Sequence, residues 1–542
     1  MKSSCVKIHQ GVPRLFVEGQ PLPMGAYMTY APAKGCFADF ARAGYALFSL
    51  PVYFATRPIN DISQIPPFRP GIFEGEAPDF SAFEEDLRRI VAACPRAMIF
   101  PRVNISMPVR WTDAHPEELC DTGYTDHRRE CFASRVWLDA EKELLRQFIL
   151  HLQKIPEADA IIGFQLACGN TEEWFPFDMK GGRGLRFREK FTGGDEEAWY
   201  RQCSETVVSA IVELASFVKE LTGRRQVLGT FYGYTLECVD RNFAHHAMGK
   251  LLESDAIDFL CSPISYMETR PAGMDHANMT ALDSIRLHGK LYFAENDTRT
   301  DLSRPPNDLP HYQSPVWFGP DRATSCEIMK MHFARALCHG HSYWGFDMWG
   351  GWYDAPEYRA LLGIFSAIGR SALEKSLSGV SRVAVFVDER AYAAMADPAP
   401  AQGVCSLFRK TLGYVAQAYD IFLANDFDAV QSRYPCVLLL EPRATALSAH
   451  IRQTRSDALV ITPDNCAMDA ASLRNACARR GAPARFDADA VIYENESYLF
   501  LHTPAEGLYR PLRQMPNTDL FTGETVDFSR PLPAHRSYLF TK

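Results

Sequence analysis

The sequence lacks the patterns that mark several common classes of protein. It has no stretch of about 20 apolar residues, so we expect no membrane-spanning helix. Its formal net charge is −9, so there is no basic excess for nucleic acid or an anionic membrane surface. The N-terminal residues, MKSSCVKIHQGVPRLF, contain no apolar run of signal-peptide length. These absences predict a cytoplasmic protein that binds neither nucleic acid nor membrane.

Motifs for cofactors and for common nucleophiles are also missing. The 15 cysteines include no C-x-x-C pair, which predicts mostly small buried thiols in a reducing compartment and no zinc cluster. The sequence has no P-loop, no dinucleotide-binding glycine fingerprint, no G-x-S-x-G elbow and no H-E-x-x-H. We therefore expect no metal and no organic cofactor.

Aromatic residues, in contrast, are abundant. They make up 12% of a chain of 542 residues, of which 47% is hydrophobic and 23% charged. The overall composition is that of a globular protein, but the many Trp and Tyr side chains favour ligands with flat faces, such as sugars. Large cores use the same residues, so this observation needs support from the pattern of the chain.

Eight short apolar segments alternate with helical segments over roughly the first 350 residues. Such an alternation predicts a parallel sheet, and eight units predict a closed (β/α)₈ barrel. A doubly wound sheet is the alternative, but polar and aromatic groups follow most of the strands, as the active site of a barrel requires. The expected strands are 26–30, 45–54, 97–105, the apolar part of 161–174, 226–234, 256–266, 290–297 and 342–349.

The rest of the chain predicts two further domains. Residues 1–375 form the barrel with a short N-terminal β extension, a hairpin over 5–22 that turns at Gly19 and Gln20. A smaller flavodoxin-like α/β domain is expected over 380–485, where strands and helices alternate again. Residues 486–542 are expected to form an antiparallel β domain.

The fourth strand leads into two adjacent carboxylates. The segment 161–174, IIGFQLACGNTEEW, ends in Glu172, Glu173 and Trp174. A barrel enzyme presents an acid/base group in this way, at the carboxyl end of a buried parallel strand. The alternative is a solvated pair of glutamates in a surface turn, and the segment alone does not decide between the two.

A second carboxylate follows the seventh strand. Glu295 lies in LYFAENDTR, at the end of a short apolar segment. Hydrolysis of a glycosidic bond needs two carboxyl groups on one bond, one protonated and one ionised. Glu295 with Glu172 or Glu173 meets this need. The alternative is that Glu295 forms a structural ion pair with Arg299 or Arg270.

Other side chains near the strand ends are candidates for supporting roles. Tyr266 is expected to donate a hydrogen bond to Glu295, and Arg102 to form an ion pair with it. Asp347 is a candidate acceptor for a sugar hydroxyl, and Trp349 is a candidate stacking platform. The remaining candidates for binding or support are Asn170, Trp174 and Tyr232, with Tyr234, Trp344 and Trp352 in the pocket or the barrel wall.

With these strand ends, the chain resembles clan A glycoside hydrolases, and in domain order glycoside hydrolase family 42, the β-galactosidases. The resemblance implies that Glu173 is the acid/base and Glu295 the nucleophile, with Tyr266 on the sixth strand and Trp349 on the eighth. It also implies a carbohydrate substrate and a homo-oligomer, which in that family is a trimer.

This sequence departs from the family at two points. Asn usually precedes the acid/base, whereas here Glu172 holds that place and the nearest Asn is Asn170. The choice between Glu172 and Glu173 stays open, although the position beside Trp174 favours Glu173. The cysteine cluster that binds zinc in some members of the family is absent.

These observations predict a retaining exo-β-glycosidase, with β-galactosidase as the expected activity. One alternative is an endo-acting β-glycanase, which an open cleft lined by Trp111, Trp174 and Trp352 would favour. Another is a non-catalytic carbohydrate-binding or assembly protein on a barrel scaffold. The polar segment 175–197 is expected to be a lid or an interface loop.

Overall fold

The computed structural model describes residues 1–57, 68–121, 128–176, 184–191, 193–267, 270–303 and 319–542. The strands are β1 (Ser4–His9), β2 (Val12–Val17), β3 (Gln20–Pro21), β4 (Ala26–Thr29), β5 (Leu47–Tyr53), β6 (Met98–Asn104), β7 (Leu119–Asp121), β8 (Arg128–Glu130), β9 (Gly163–Ala167), β10 (Val227–Phe231), β11 (Phe259–Pro263), β12 (Leu291–Asn296), β13 (Ser342–Asp347), β14 (Val383–Val387), β15 (Tyr419–Leu423), β16 (Cys436–Leu440), β17 (Leu459–Ile461), β18 (Val491–Glu494), β19 (Tyr498–His502) and β20 (Ser537–Thr541). The helices are α1 (Phe37–Ala43), α2 (Ser81–Ala93), α3 (Val109–Ala114), α4 (Arg135–Leu152), α5 (Leu185–Lys190), α6 (Glu196–Leu221), α7 (Met248–Leu252), α8 (Leu282–Leu287), α9 (Arg322–His339), α10 (Pro356–Ser371), α11 (Ala399–Ala401), α12 (Phe408–Gly413), α13 (Phe427–Val430), α14 (Ala446–Thr454) and α15 (Ala470–Arg479).

Eight parallel strands form a closed barrel, in the order β4-β5-β6-β9-β10-β11-β12-β13 with β13 pairing back to β4. Each strand lies within one of the eight apolar segments, so the predicted (β/α)₈ barrel is confirmed. Aromatic rings fill its interior: Phe293 stacks on Trp344 at 4.4 Å between centroids, and Phe100 meets Trp344 edge-on at 5.9 Å. A packed interior leaves the carboxyl ends of the strands as the place for a site.

The N-terminal extension is a three-stranded antiparallel sheet, β1-β2-β3. Its first turn lies at Gln10 and Gly11, and its second at Glu18 and Gly19, all four with positive φ. The turn at Gly19 is the predicted one, whereas the turn at Gln10 and Gly11 was not predicted.

A second sheet is parallel throughout, in the order β15-β14-β16-β17. The first strand of this domain, β14, lies inside the sheet, and the second, β15, lies at its edge. This is the strand order of a flavodoxin-like domain, the fold that the sequence predicted. Strand β15 was not predicted from the sequence. Cys436 on β16 is fully buried, as predicted for a core thiol.

The C-terminal strands β18, β19 and β20 form an antiparallel sheet. The turn around Gly523 carries one isolated bridge, between Thr518 and Thr525, and no strand among the described residues. The predicted small β domain is confirmed, whereas its boundary at 486 and that at 375–380 stay predictions.

A buried carboxylate joins these three parts of the chain. Asp275, in the segment after β11, accepts hydrogen bonds from Tyr419 of β15 at 2.9 Å and from Tyr493 of β18 at 2.6 Å, and it pairs with Arg335 of α9. This pairing holds the pKa of Asp275 below its usual value despite burial. The barrel, the α/β sheet and the C-terminal sheet therefore pack as one body around this group.

Among the described residues, no helix combines the length and the apolar character needed to cross a membrane. All 15 cysteines are free thiols, and eleven of them are buried. The buried thiols occupy core positions, as the sequence predicted.

Candidate active site

The loop after β9 has an unusual backbone. Gly169, Thr171, Glu172 and Trp174 all adopt positive φ, at 75°, 60°, 68° and 62°. For residues other than glycine this conformation costs about 1–2 kcal/mol each, and it persists only where the surroundings enforce it. Such strain concentrates in functional loops, and here it turns two consecutive glutamates in different directions.

Trp174 anchors this loop. Its side chain is fully buried, its indole N–H donates to the Leu166 carbonyl at 3.1 Å, and its ring packs on Phe132. Of the two predicted roles, binding or support, the buried ring of Trp174 fits support, because it lies under the loop. The backbone of Asn170 pairs with that of Phe175, so the loop closes on itself.

We expect Gly169→Ala to disturb the loop. A Cβ at this position would lie 2.6 Å from the Phe175 carbonyl oxygen, and φ is +75°. Gly223→Ala is the matched control, because φ is +61° there and no atom lies within 4 Å of the added Cβ. Thermal denaturation should show a cost of about 1–2 kcal/mol for the control and a larger one for Gly169→Ala. Equal losses of stability would contradict this interpretation of the loop.

Glu172 points inward and is held by two donors. Its carboxylate accepts hydrogen bonds from the Tyr30 hydroxyl at 2.9 Å and from the Asn104 amide at 3.2 Å. The residue is 1% exposed. Tyr30 directly follows the first barrel strand and Asn104 ends the third, so Glu172 ties three strand ends together.

Glu173 points the other way and keeps some exposure to solvent. Its carboxylate accepts hydrogen bonds from the Tyr234 hydroxyl at 2.7 Å and from the Thr171 hydroxyl. Its backbone carbonyl accepts from His245 Nε2 at 2.8 Å, and His245 lies stacked between Phe175 and Tyr232. Of the two glutamates, Glu173 is the one that solvent or a ligand reaches.

Glu295, on the seventh strand, pairs with Arg102 on the third. Arg102 Nη2 lies 2.6 Å from Glu295 Oε2, and both side chains are buried. The guanidinium also donates to Gln165 at 3.1 Å and lies over the Phe231 ring at 4.7 Å. The predicted ion pair is present, and it holds one oxygen of the Glu295 carboxylate.

The hydroxyl of Tyr266 contacts a different carboxylate from the one predicted. It donates to Asp297 Oδ2 at 2.9 Å, not to Glu295. The reason is that β11 ends at Pro263, so Tyr266 lies three residues beyond the strand and reaches past Glu295. Arg270, considered as a partner of Glu295, pairs with Asp297 at 2.6 Å instead.

Burial and neighbouring charges shift the carboxyl groups of this site. Burial, with smaller contributions from the charges of Glu295 and Asp297, raises the pKa of Glu173 to about 8 against the lowering effect of its two hydrogen bonds. Burial also raises the pKa of Glu295 to about 7, with Arg102 opposing and Asp297 adding to the shift. The pKa of Glu172 is raised by burial as well. Arg102 stabilises the ionised form of Glu295, whereas the donors to Glu173 are two uncharged hydroxyl groups, which favours a carboxylate at Glu295 and a carboxylic acid at Glu173.

Three other predicted site residues are buried in the barrel domain. Asp347 is fully buried and accepts from the Tyr27 hydroxyl at 2.8 Å and from the Trp352 backbone, and its contact with a sugar hydroxyl stays a prediction. Tyr232 is buried under His245 and donates to the Ala244 carbonyl, so it supports the wall without reaching a ligand. Trp349 is 7% exposed, and the Arg299 guanidinium lies over its ring.

The cleft expected for an endo-acting enzyme is not formed by the residues proposed for it. Trp174 and Trp352 are fully buried, and Trp111 is partly buried and stacked on His115 at 4.5 Å. Within the predicted lid, 184–191 contains α5, while 177–183 and 192 lie outside the described residues.

Sequence reasoning missed several groups that hold the catalytic candidates. Tyr30, Asn104 and Asp297 each end or follow a barrel strand, so the rule that found Glu295 applies to them too. Tyr234 was predicted in the pocket or the barrel wall, but its hydrogen bond to Glu173 was not predicted. His245 follows no strand and carries no signal in the sequence.

One group of side chains in the described part of the chain has metal-binding spacing. Ligand atoms of Asp283, His339 and Asp420 lie within 4.8 Å of one another. However, Arg286 Nη2 lies 3.0 Å from Asp283 and 3.6 Å from Asp420, so a guanidinium already forms ion pairs with both carboxylates. The group fits a buried ion-pair cluster better than a metal site.

The fold of this chain is similar to that of solved structures over nearly its whole length. No protein-family model and no curated protein sequence matches the chain. Among solved structures, a β-galactosidase from the psychrophilic Marinomonas ef1 has a TM-score of 0.62 at 11% identity, over 96% of this chain and 100% of that one.

Two structures of glycoside hydrolase family 42 are similar to a comparable degree. A β-galactosidase from G. stearothermophilus has a TM-score of 0.62 at 9% identity, over 96% of this chain and 98% of that one. An exo-carrageenase from Bacteroides ovatus has a TM-score of 0.59 at 10% identity, over 99% of this chain and 84% of that one. The chain thus shares the fold and the order of domains of glycoside hydrolase family 42 structures, at 9–11% sequence identity.

Proposed function

We propose that the protein is a retaining β-glycosidase in which Glu295 is the nucleophile and Glu173 the acid/base. The observation that carries the proposal is the pair of carboxyl groups at the ends of the fourth and seventh barrel strands in unequal environments. Glu295 is bound by Arg102, whereas Glu173 has the higher pKa and is partly exposed. One ionised and one protonated carboxyl group are what double displacement requires.

In the first step, Glu295 attacks the anomeric carbon of the substrate. The bond from that carbon to the glycosidic oxygen breaks, and Glu173 transfers its proton to the departing oxygen. Arg102 keeps one oxygen of Glu295 engaged and leaves the other to form the ester. The products are a glycosyl ester on Glu295 and a free alcohol.

In the second step, the ionised Glu173 removes a proton from water. The water oxygen bonds to the anomeric carbon, the ester bond breaks, and Glu295 returns as a carboxylate paired with Arg102. Two inversions give net retention. The Tyr234 and Thr171 hydroxyls hold Glu173 through both steps, in which it is first an acid and then a base.

For the sugar and the mode of action, we propose a terminal β-galactoside and exo action. The support is the likeness to structures of β-galactosidases and of an exo-carrageenase. The buried positions of Trp174 and Trp352 also remove the aromatic lining proposed for an endo-acting cleft. A cytoplasmic homo-oligomer stays a prediction.

A panel of 4-nitrophenyl β-glycosides tests the activity, with galactoside, glucoside, mannoside, xyloside and fucoside compared at equal concentration. We expect the highest kcat/KM for the galactoside and, by proton NMR, a β-anomer as first product. For exo action, we expect oligosaccharides labelled at the reducing end to release monosaccharides as their only small product. Sugar binding without turnover of any glycoside would favour the non-catalytic alternative.

The pKa values predict a narrow pH optimum. The active form has Glu295 ionised, which requires a pH above about 7, and Glu173 protonated, which requires a pH below about 8. Activity should therefore rise through pH 7 and fall through pH 8 in a plot of kcat/KM, with apparent values that belong to the pair. If Glu173 causes the fall in kcat/KM above pH 8, this fall should be absent in Glu173→Gln. A wild-type profile that is flat from pH 6 to 9 would contradict the assignment.

A further inference from the structure

A buried arginine of the α/β domain reaches into the barrel. Arg409, on α12, is 1% exposed, and its Nη2 lies 2.5 Å from Glu237 Oε2. Its Nη1 donates to the Asn278 carbonyl at 2.6 Å, and Nη2 also lies 3.1 Å from the Ser265 hydroxyl. One guanidinium thus contacts the segments that follow the fifth and sixth barrel strands, both outside its own domain.

Glu237, the partner of Arg409, fixes the segment that contains Tyr266. Its carboxylate accepts hydrogen bonds from the Ser265 hydroxyl at 2.7 Å and from the backbone N–H groups of Tyr266 and Met267 at 2.7 and 3.2 Å. Three donors from three consecutive residues define the course of this segment. Without a cation beside it, the buried Glu237 would carry an unpaired charge.

The same two segments hold the carboxyl groups of the candidate site. The Tyr266 hydroxyl donates to Asp297, whose charge raises the pKa of both Glu295 and Glu173. The Glu237 N–H donates to the carbonyl of Tyr234, and the Tyr234 hydroxyl donates to Glu173. Glu237, the direct partner of Arg409, contacts both Tyr266 and Tyr234, and these two tyrosines contact Asp297 and Glu173.

A second contact joins the α/β domain to the Tyr266 segment. Residues Gln402–Leu407, directly before α12, form a π-helical turn, and the Gln402 amide lies 3.8 Å from the Met267 sulfur. Turns of this kind occur often at functional sites. Here the turn places Gln402 and Arg409 on the same side, against the barrel mouth.

We infer that Arg409 is a positioning residue through which the α/β domain holds the Tyr266 segment in the catalytic arrangement. This inference rests on the proposed glycosidase activity. Arg409 touches no reacting atom: it neutralises Glu237, which orients Tyr266, which in turn holds Asp297 beside the catalytic pair. The second domain is then a part of the active site as well as a packing partner.

A double-mutant cycle tests the inference with Arg409→Met and Tyr266→Phe on 4-nitrophenyl β-galactoside. We expect Arg409→Met to lower kcat by about 10- to 100-fold, the effect of a displacement on the order of 1 Å. If Arg409 acts through Tyr266, adding Tyr266→Phe lowers kcat by less than about twofold more. Multiplying effects of the two changes would overturn the inference, as would an unchanged kcat in Arg409→Met.

Arg455→Met is the matched control. Arg455 is partly buried in the same domain, and its contacts are with Asp457 and backbone carbonyls of that domain. We expect it to lower Tm without changing kcat. Where Arg409→Met fails to fold, Arg409→Lys keeps the positive charge beside Glu237 but cannot make all the hydrogen bonds of the guanidinium. A smaller fall in kcat, again not additive with Tyr266→Phe, is then expected.

Hydrogen exchange separates this inference from the proposed function. In Arg409→Met, peptides covering 259–267 should exchange faster than in the wild type and in Arg455→Met. That comparison needs no activity. A wild-type protein inactive on every glycoside refutes the proposed function alone, whereas active protein with unchanged exchange in Arg409→Met refutes the inference alone.

Discussion

Replacing Glu295 by glutamine is expected to lower kcat by about 10⁴- to 10⁶-fold, the range seen when a nucleophile is removed from a catalytic unit. An amide at this position cannot form the glycosyl ester. Arg102 should keep its position in the variant, because it also donates to Gln165 and lies near the charge of Glu172. The loss should therefore appear in turnover on 4-nitrophenyl β-galactoside, in protein that still folds.

Two further measurements define the role of Glu295. Azide added to Glu295→Gly should restore turnover and give the α-glycosyl azide, because a small anion then attacks from the vacated face. The Glu295→Gln variant should also lower the pKa of Glu173, since the charge of Glu295 contributes to raising it. Turnover within tenfold of wild type in Glu295→Gln would contradict the assignment.

Replacing Glu173 by glutamine is expected to lower kcat by about 10²- to 10⁴-fold for substrates with a poor leaving group, since a positioned general acid contributes that much. With 2,4-dinitrophenyl β-galactoside the first step needs no proton, so kcat/KM should stay near the wild-type value. The glycosyl enzyme should then accumulate, because Glu173 is also the base of the second step. Burst kinetics and mass spectrometry of the intact protein measure this.

Glu172→Gln is the matched control for Glu173→Gln. The two residues are adjacent and have the same side chain, but Glu172 is closed in by Tyr30 and Asn104. We expect Glu172→Gln to keep the alkaline limb of the pH profile and to show no selective loss for poor leaving groups. The opposite pattern, with the leaving-group effect in Glu172→Gln and not in Glu173→Gln, would exchange the two roles.

The order of elements was predictable because it depends on local periodicity. Apolar segments of strand length alternate with amphipathic helices, and eight such units close into a barrel whatever the details of the loops. The same rule placed Glu295 and Arg102 at strand ends and found their ion pair. Strand β15 was missed because its five residues follow a helical segment without a clear turn.

The roles of side chains beyond the strand ends were less predictable. Tyr266 was assigned to Glu295 by counting along a strand that ends three residues earlier, and its hydroxyl binds Asp297. Trp174 and Asp347 are residue types that bind sugars, yet both are buried. Burial depends on what packs over a residue, and that comes from distant parts of the chain.

The sequence by itself determined the barrel, the two smaller domains and the two strand ends that carry Glu173 and Glu295, because periodicity and composition act over a few residues. Only the tertiary structure decided which glutamate is accessible. Positive φ at Thr171, Glu172 and Trp174 turns Glu172 onto Tyr30 and Glu173 onto Tyr234. The structure alone also brought Arg409 to Glu237, across 172 residues of chain, since an ion pair between domains leaves no local pattern.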